Sequence, residues 1–149
     1  MTYSMKLKNK KAYFDFDIEQ EYVCGIKLVG SEVKSVRMKM ISFSDSYVLI
    51  DNENQVILRN LSIAKYENAS FDNHDEKRDR ILLLNKKEIE KISHSQMAKN
   101  LSIIPLEIFT KGTLIKVKIG LGRGKKKYDK RNSIKEKDIE REVKRNEKN

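Results

Sequence analysis

Three glycines lead into a run of basic side chains near the end of the chain, between Gly120 and Arg131. Glycine allows sharp turns and close approach of the backbone to a partner. The lysines and arginines supply dense positive charge, and Tyr128 adds one aromatic face among them. This chemistry suits a nucleic-acid phosphate backbone better than a small substrate. An ordinary solvated basic linker is the alternative, and the segment alone does not decide between the two interpretations.

The whole chain is basic, with a net charge of +10 over 149 residues. Such a balance favours a polyanionic partner, either a nucleic acid or an anionic membrane. Residues 121–149 hold more than half of the excess, with 12 Lys or Arg against 6 Asp or Glu. Cys24 is the one cysteine, and no apolar run reaches the roughly 20 residues of a membrane span. These features predict a soluble, cytoplasmic, single-domain protein with a basic tail and no membrane partner.

Catalytic and metal-binding patterns are weak in this sequence. The two histidines, His74 and His94, lie far apart. His74 and Asp75 could form an acid–base pair, but a polar loop that contacts RNA or caps a turn is the favoured interpretation. The phosphate-loop pattern fails because Ile119 stands where its first glycine is required and Lys126 where it needs Ser or Thr. We therefore expect no enzymatic activity, no cofactor and no metal.

Basic side chains recur at four places, and their convergence on one face would provide about 6–10 phosphate contacts. No run of surface aromatic residues indicates a platform for stacking single-stranded bases. Recognition of RNA shape and backbone is therefore favoured. The four places are Lys8/Lys10/Lys11, Lys34/Arg37/Lys39, Lys77/Arg78/Arg80 and the segment 123–131.

The elements that must position these side chains begin with a polar, basic stretch at 2–11, which is expected to be mobile. Apolar residues then alternate through 14–28, which predicts a long half-buried strand with a bend or bulge at Gly25. Ser31 can cap a short helix that follows, and the exposed side of this helix is basic. Its buried face is predicted to contain Val33, Val36 and Met40.

Two hairpins and a second helix are predicted further along the chain. Asn85 opens the helix through a capping box with Glu88, after a polar and irregular section at 64–80. The buried side of this helix is predicted to contain Ile89, Ile92 and Met97. The hairpins are predicted at 47–50 with 56–58, joined by a turn at 51–54, and at 104–108 with 115–119, joined by a turn at 111–113.

These elements favour a mainly β protein, a small antiparallel barrel of the oligonucleotide-binding (OB) class with two to three short helices. The tail contains three apolar residues, Ile134, Ile139 and Val143, so it is expected to be disordered when free and helical against a partner. The predicted organisation is a flexible N-terminus at 1–8, the barrel at 9–120, a glycine- and lysine-rich hinge at 121–131 and the tail at 132–149.

The motifs, taken in order, closely resemble the SmpB family, the small protein partner of transfer-messenger RNA in bacterial ribosome rescue. The resemblance runs from about Asn9 to Glu142, with seven motifs at family-like spacing. They are Asn9-Lys-Lys-Ala12, Gly25-x-x-Leu-x-Gly-Ser-Glu-Val-Lys-Ser-Val-Arg37, Asp45-Ser-Tyr47, Asn73-His-Asp-x-Lys-Arg78, Leu82-Leu-Leu-Asn-Lys-Lys-Glu-Ile89, Ile104-Pro-Leu106 and Gly120-Leu-Gly-x-Gly-Lys-Lys-Lys-Tyr-Asp-Lys-Arg131.

The resemblance implies an OB barrel that binds the tRNA-like domain of transfer-messenger RNA (tmRNA) and delivers it to stalled ribosomes for tagging of the unfinished peptide. It implies a tail that becomes helical on the ribosome, in the empty messenger channel, against small-subunit rRNA of the decoding site. Alanyl-tRNA synthetase and elongation factor Tu are implied as indirect partners, and the protein is expected to be a monomer. The alternative is a structural ribosomal protein whose basic tail threads through rRNA.

Carried over motif by motif, the resemblance assigns three groups of contact residues. The RNA-facing surface receives Lys11, Glu32, Lys34, Ser35, Arg37, Arg80, Leu83 and Asn85. Hinge and decoding-site contacts fall to Arg123, Lys125, Lys126, Lys127, Tyr128, Lys130 and Arg131. Tail contacts fall to Ile134, Lys135, Lys137, Ile139 and Arg141.

Two of these residues have more than one possible role, and two positions depart from the family pattern. Glu32 could orient Lys34 or Arg37, accept a hydrogen bond from a base amine, or favour the helix N-terminus. Asn85 could contact RNA or cap its helix. Glu76 stands where proline is common in the family, and Val23 stands where many members carry a polar or acidic residue.

Overall fold

The computed structural model of the chain describes residues 5–67 and 73–125. Within these ranges the elements are, in order, β1 (Lys6–Lys8), α1 (Lys10–Asp15), β2 (Phe16–Ile26), α2 (Gly30–Arg37), β3 (Ile41–Ser42), β4 (Tyr47–Ile50), β5 (Val56–Arg59), β6 (Ser62–Ile63), β7 (Arg80–Leu83), α3 (Lys86–Lys99), β8 (Ser102–Lys111) and β9 (Leu114–Gly124).

Six strands close into an antiparallel ring in the order β2, β9, β8, β4, β5, β7 and back to β2. Closure removes the free edges that an open sheet would leave. β1 lies outside the ring and pairs with β8, while β3 and β6 form a separate two-stranded ribbon. The predicted mainly β, OB-like barrel with short peripheral helices is confirmed.

The interior of the barrel is filled by alternate residues of the strands, because successive side chains of a strand point to opposite faces. Val117, Ile119 and Leu121 of β9 are all 0% exposed. α3 adds Ile92 to this core, as predicted, but Met97 is 84% exposed and its predicted burial is wrong. A smaller cluster forms outside the ring, where α1 packs Ala12 against Ile104 and Leu106 of β8.

The N-terminal segment is structured from its first described residue, so the expected mobility of this region is wrong for residues 5–11. Met5 is 7% exposed within the barrel core, and its backbone N–H donates to Thr110 Oγ1 at 2.8 Å. Asn9 then caps α1, since its side-chain oxygen accepts from the Ala12 N–H. Its amide group also donates to the Pro105 carbonyl at 2.8 Å, which fixes α1 on β8.

The first long strand is shorter than predicted, because residues 10–15 form α1 and β2 begins at Phe16. The irregularity also lies elsewhere. The register of β2 on β9 shifts between Ile18 and Gln20, whereas Gly25 stays paired with both Leu83 and Lys116. Gly25 is instead a site of close packing, since a Cβ there would lie 3.3 Å from Leu83 Cβ.

Two further differences concern β7 and α2. The predicted irregular section ends at Arg80, and the four residues of β7 then form a barrel strand that alternation did not reveal. α2 ends at Arg37, so Met40 lies beyond it and is 37% exposed rather than buried. Val29, not Ser31, occupies the N-cap position of α2. No helix within the described ranges is long and apolar enough to cross a membrane.

β9 continues to Gly124, four residues beyond the predicted end of the barrel at residue 120. A Cβ at Gly120 would lie 2.7 Å from Leu106 Cδ1, and one at Gly122 would lie 2.5 Å from the Asp17 carbonyl oxygen. These glycines therefore allow close packing of the sheet, and the expectation that they act as a swivel is wrong. The remainder of the predicted hinge, from Lys126, and the tail lie outside the described residues.

We expect Gly122→Ala to lower the free energy of unfolding by about 1–3 kcal/mol, the usual cost of overpacking, because its Cβ would collide with backbone. Gly124→Ala is the matched control, since a Cβ there meets nothing within 4 Å. Urea unfolding of both variants followed by circular dichroism measures the difference. Equal stabilities would show that the close approach of β9 to Asp17 does not require glycine.

Candidate nucleic-acid interface

The exposed side of α2 carries basic side chains, as the sequence predicted. Lys34, Arg37 and Lys39 are all exposed. The Arg37 guanidinium donates to the Thr113 carbonyl at 3.2 Å, which connects α2 to the turn between β8 and β9. Lys34 Nζ lies 5.2 Å from the centre of the Tyr66 ring, a cation–π contact. These contacts arrange the cations of α2 over the end of the β8–β9 hairpin.

Beneath this surface, Glu32 forms a buried ion-pair network with two arginines. Glu32 Oε2 accepts from Arg80 Nε at 2.7 Å, and Oε1 accepts from Arg78 Nη2 at 2.5 Å and from the Val29 N–H at 3.0 Å. Arg80 also donates to the backbone carbonyls of Leu61, Asp75 and Glu76. One carboxylate therefore joins the start of α2 to β7 and to the loop that precedes β7.

Burial and pairing act in opposite directions on these charges. Burial alone would raise the pKa of Glu32, but hydrogen bonds from Arg78, the Val29 N–H and Arg80 outweigh it, so the pKa of Glu32 lies below its ordinary value. Burial likewise lowers the pKa of Arg80, against the opposing effect of the Glu32 carboxylate. Arginine is the most basic of the side chains, so Arg80 stays protonated and the pair remains ionic at neutral pH.

Asn73 and His74 fix the loop before β7 to neighbouring parts of the chain. Asn73 exchanges two hydrogen bonds with the Tyr66 backbone, at 2.9 and 3.1 Å. His74 is 5% exposed, and its ring nitrogens lie 2.8 Å from Ser31 Oγ and 2.8 Å from the Ile63 carbonyl oxygen. Because that carbonyl can only accept, Nε2 donates to it. His74 is therefore a structural residue, and the interpretation of it as an RNA contact is wrong.

The sequence-predicted contact residues divide into exposed and buried groups. Glu32, Ser35 and Arg80 are each 0% exposed, so the expectation that they lie on the RNA-facing surface is wrong. Glu32 also does not orient Lys34 or Arg37, since its partners are Arg78, Arg80 and Val29. These three residues lie beneath the exposed surface. The exposed group is Lys11, Lys34, Arg37, Leu83 and Asn85.

Leu83 and Asn85 continue this exposed surface away from α2. Leu83 is 48% exposed on β7 and packs beside Gly25 of β2, with the 50%-exposed Val23 further along the same strand. Asn85 caps α3, because its side-chain oxygen accepts from the Glu88 N–H at 2.8 Å. Glu88 in turn accepts from the Asn85 N–H at 3.3 Å, which completes the predicted capping box.

The described residues of the four basic places form two separate surfaces rather than one. The α2 region, made of Lys34, Arg37, Lys39, Lys77 and Arg78, unites the second and third places through Glu32 and contacts Thr113. The α1 region, made of Lys10, Lys11, Arg123 and Lys125, lies where α1 packs on Ile104 and β9 ends. Seven residues of β8 separate Ile104 from Lys111, about 23 Å at the rise of an extended strand.

The basic segment 123–131 begins in the α1 region. Arg123 Nε lies 3.6 Å from Glu19 Oε1, and the Lys125 N–H donates to the Asp15 carbonyl at 2.7 Å. These contacts fix the point at which the chain leaves the barrel. The other predicted contacts of this segment and of the tail lie outside the described residues. Among the residues described, no group of three or more His, Cys, Asp or Glu side chains is arranged to hold a metal ion.

The contacts of Arg78, Arg80 and His74 were missed by sequence reasoning, although the motif that contains them was visible. A histidine and two arginines in a polar loop gave no indication of burial, because their partners are 43–48 residues away in sequence. The one available signal was Glu32, an acidic residue in an otherwise basic helix.

We expect Glu32→Gln to lower the free energy of unfolding by about 3–5 kcal/mol at neutral pH, because it leaves the buried Arg80 without its counter-charge. Glu90→Gln, at an exposed position of α3, is the control and should change stability by no more than about 0.5 kcal/mol. Urea unfolding at several pH values measures both variants.

The same series tests the depressed pKa of Glu32. A carboxylate with a lowered folded-state pKa contributes fully above the ordinary glutamate pKa of about 4.3, and the contribution disappears as the pH falls through the folded-state value. The stability difference between wild type and Glu32→Gln should therefore narrow in acid. A difference that is absent at neutral pH, or that grows in acid, would contradict this account of the network.

Comparison with known proteins identifies relatives over nearly the whole chain. The family model described as SmpB protein matches residues 6–149. The chain is 48% identical to the SsrA-binding protein of Acholeplasma laidlawii, over 91% of this chain and 90% of that protein. It is 46% identical to the SsrA-binding protein of Oceanobacillus iheyensis, over 93% of this chain and 89% of that protein.

A solved structure agrees with these relatives. It is described in the words "tmRNA-SmpB: a journey to the center of the bacterial ribosome", and one of its chains is 38% identical to this one with a TM-score of 0.68. The similarity covers 82% of this chain and 85% of that chain. Sequence motifs, barrel topology and the extent of these matches agree, and the chain belongs to the SmpB protein family.

Proposed function

We propose that the protein binds the tRNA-like domain of transfer-messenger RNA and delivers it to stalled ribosomes for peptide tagging. The solved relative is named together with tmRNA and the bacterial ribosome, and the curated relatives are named SsrA-binding proteins. The structural observation that carries the proposal is the α2 region, a set of exposed cations built on a buried ion-pair network.

The α2 region supplies charge at fixed positions. Exposed lysines and arginines neutralise phosphates and release counterions, which provides affinity without reading sequence. The network below restricts motion, because both Glu32 oxygens accept hydrogen bonds and each of the three Arg80 nitrogens donates at least one. A folded RNA of defined shape can therefore match this arrangement, whereas a flexible basic segment would accept any polyanion.

Leu83 and Asn85 extend the proposed tmRNA surface with neutral contacts. Leu83 offers an exposed apolar side chain on the outer face of β7, where Gly25 leaves the neighbouring strand without a side chain. Asn85 uses its oxygen in the α3 cap, which leaves its amide N–H groups as the donors for an RNA acceptor. We assign Glu32, Ser35 and Arg80 to positioning this surface rather than to contact with RNA.

The α1 region and the segment that follows it serve the ribosome in this proposal. Arg123 and Lys125 begin the segment that contains Lys126, Lys127, Tyr128, Lys130 and Arg131, and the tail carries Ile134, Lys135, Lys137, Ile139 and Arg141. We propose that they contact small-subunit rRNA at the decoding site, with the tail in the empty messenger channel. The protein acts by binding, as a cytoplasmic monomer. Alanyl-tRNA synthetase and elongation factor Tu act on the same RNA.

We expect the double variant Lys34→Ala/Arg37→Ala to weaken binding of the tRNA-like domain and to reduce the salt slope of log K by about one for each phosphate interaction that it removes. Filter binding over a range of KCl concentrations measures both quantities. Lys91→Ala/Lys99→Ala removes the same charge from α3, where Lys99 lies by Glu19 of β2, and should retain the wild-type slope. An equal loss of affinity in the two variants would mean that net charge, not the α2 region, determines binding.

We expect a chain that ends after Arg131 to bind tmRNA in solution with the affinity of the full chain, because the α2 region is intact. Peptide tagging on ribosomes stalled without a stop codon should be abolished, because the tail is absent from the messenger channel. An in vitro translation assay with purified components measures tagging, and the full chain is the control. Loss of tmRNA binding on truncation would show that the tail contributes to tmRNA binding, and the assignment of the tail to the ribosome alone would be wrong.

A further inference from the structure

A cleft between α1 and the loop that precedes β4 is lined by three sequence motifs whose function the α2 region leaves unexplained. Asn9–Ala12, Asp45–Tyr47 and the Ile104 end of Ile104–Leu106 all contribute to its walls. Its volume is about 250 Å³. A single water needs about 10–15 Å³ on this scale, and drug-sized ligands occupy about 300–1,000 Å³. The cleft therefore suits one flat ring system rather than a whole nucleotide chain.

The walls of the cleft carry two aromatic rings. Phe16, the first residue of β2, contributes one, and Tyr47, the first residue of β4, contributes the other. Tyr47 is 39% exposed, which is unusual for a large side chain beside a core. Exposed aromatic rings in a cleft provide stacking surfaces for nucleobases, and such stacking tolerates any base because every base has a π-face.

Ser46 adds an unused polar group to the same cleft. The residue is 8% exposed, and its buried hydroxyl has no hydrogen-bond partner among residues 5–67 and 73–125. Buried hydroxyl groups are nearly always paired with protein or with ordered water, so this one retains hydrogen-bonding capacity for a further partner. A hydroxyl can donate or accept, and it can therefore pair with the edge of any of the four bases.

Lys11 places a cation at the edge of the cleft. Its Nζ lies 3.4 Å from Asp45 Oδ1, and the two side chains are 63% and 84% exposed. An exposed ion pair of this kind contributes little to stability, so it can be exchanged for a stronger partner. The phosphate of a nucleotide whose base occupied the cleft would be such a partner for Lys11, with Asp45 as its competitor.

The position of the cleft connects it to the basic segment. Phe16 pairs with Gly124 across β2 and β9, and Lys125 is bonded to Asp15, which also lines the cleft. Lys125, near the start of the basic segment, therefore lies beside the cleft. The α2 region contacts Thr113 at the far end of β8 and β9, so the two sites are separate.

We propose that this cleft binds one unpaired nucleobase of an RNA, stacked on Tyr47 or Phe16, hydrogen-bonded to Ser46 and with its phosphate on Lys11. The inference rests on the proposed function, in that RNA is the ligand. The cleft detects that a base is extruded rather than which base it is, because neither stacking nor a rotating hydroxyl discriminates. The base belongs either to tmRNA or to small-subunit rRNA.

The decisive comparison is Tyr47→Leu against Tyr47→Phe, in the full chain. Leucine keeps an apolar side chain but removes the ring, whereas phenylalanine keeps the ring. We expect Tyr47→Leu to weaken binding about tenfold, within the range for loss of one base stack, and Tyr47→Phe to stay within about twofold of wild type. Affinities for the isolated tRNA-like domain and for small ribosomal subunits identify which RNA supplies the base.

Asp45→Asn provides a control of opposite sign. Removing the carboxylate frees Lys11 and removes a repulsion from phosphate, so the same RNA should bind a few-fold more tightly. Unchanged affinity of Tyr47→Leu for both RNAs, or equal weakening in Tyr47→Phe, would overturn the proposal. Lys34→Ala/Arg37→Ala is measured beside them. If it weakens tmRNA binding while Tyr47→Leu binds both RNAs normally, the cleft assignment alone is wrong, and if neither variant is affected, the proposed function fails as well.

A measurement on the wild-type protein avoids any effect of substitution on folding. Each ribonucleoside 5′-monophosphate is titrated to millimolar concentration against 15N-labelled protein, with ribose 5-phosphate as the control without a base. We expect shifts of the Ser46 and Tyr47 amide resonances with all four nucleotides and not with ribose 5-phosphate. Identical shifts with ribose 5-phosphate, or no shifts at these residues with any nucleotide, would show that the cleft does not bind a base.

Discussion

The buried ion pair between Glu32 and Arg80 is the interaction on which the arrangement of the α2 region depends. Both side chains are 0% exposed, and a buried charge is tolerated only when its partner and its remaining hydrogen bonds are in place. Satisfying Arg80 requires the carbonyls of Leu61, Asp75 and Glu76, so the loop before β7 and the residue before β6 must close around it. The exposed cations of α2 are positioned as a consequence of this closure.

The closed barrel separates the α2 region from the α1 region. Net charge alone does not distinguish these two basic surfaces. The α2 region contacts the turn of the β8–β9 hairpin at Thr113, and the α1 region lies where the same hairpin begins and ends. A ring of hydrogen-bonded strands does not bend easily over this length, so the spacing between the two surfaces is fixed. This fixed spacing fits the proposed function, in which one surface holds tmRNA and the other begins the segment that contacts the ribosome.

Gly120 and Gly122 have a different role in the structure from the one that the sequence suggested. In sequence they suggest a flexible link, whereas in the barrel they allow β9 to approach Leu106 and the Asp17 carbonyl. β9 therefore stays paired to Gly124, and Lys125 is bonded to Asp15. The basic segment therefore begins from a fixed point beside the cleft that Phe16 and Tyr47 line.

The sequence by itself determined the local features: the apolar runs and the turn that produce β4 and β5, the alternation that produces β8 and β9, the capping box at Asn85, the basic side of α2 and the family. These depend on residues close together in the chain. Tertiary structure decided whatever depends on partners far apart in sequence. β1 and β7 have three or four residues, too few to show a period, and form by pairing with β8, β2 and β5. The burial of Glu32, His74 and Arg80 likewise follows from contacts between segments more than 40 residues apart, which no local pattern encodes.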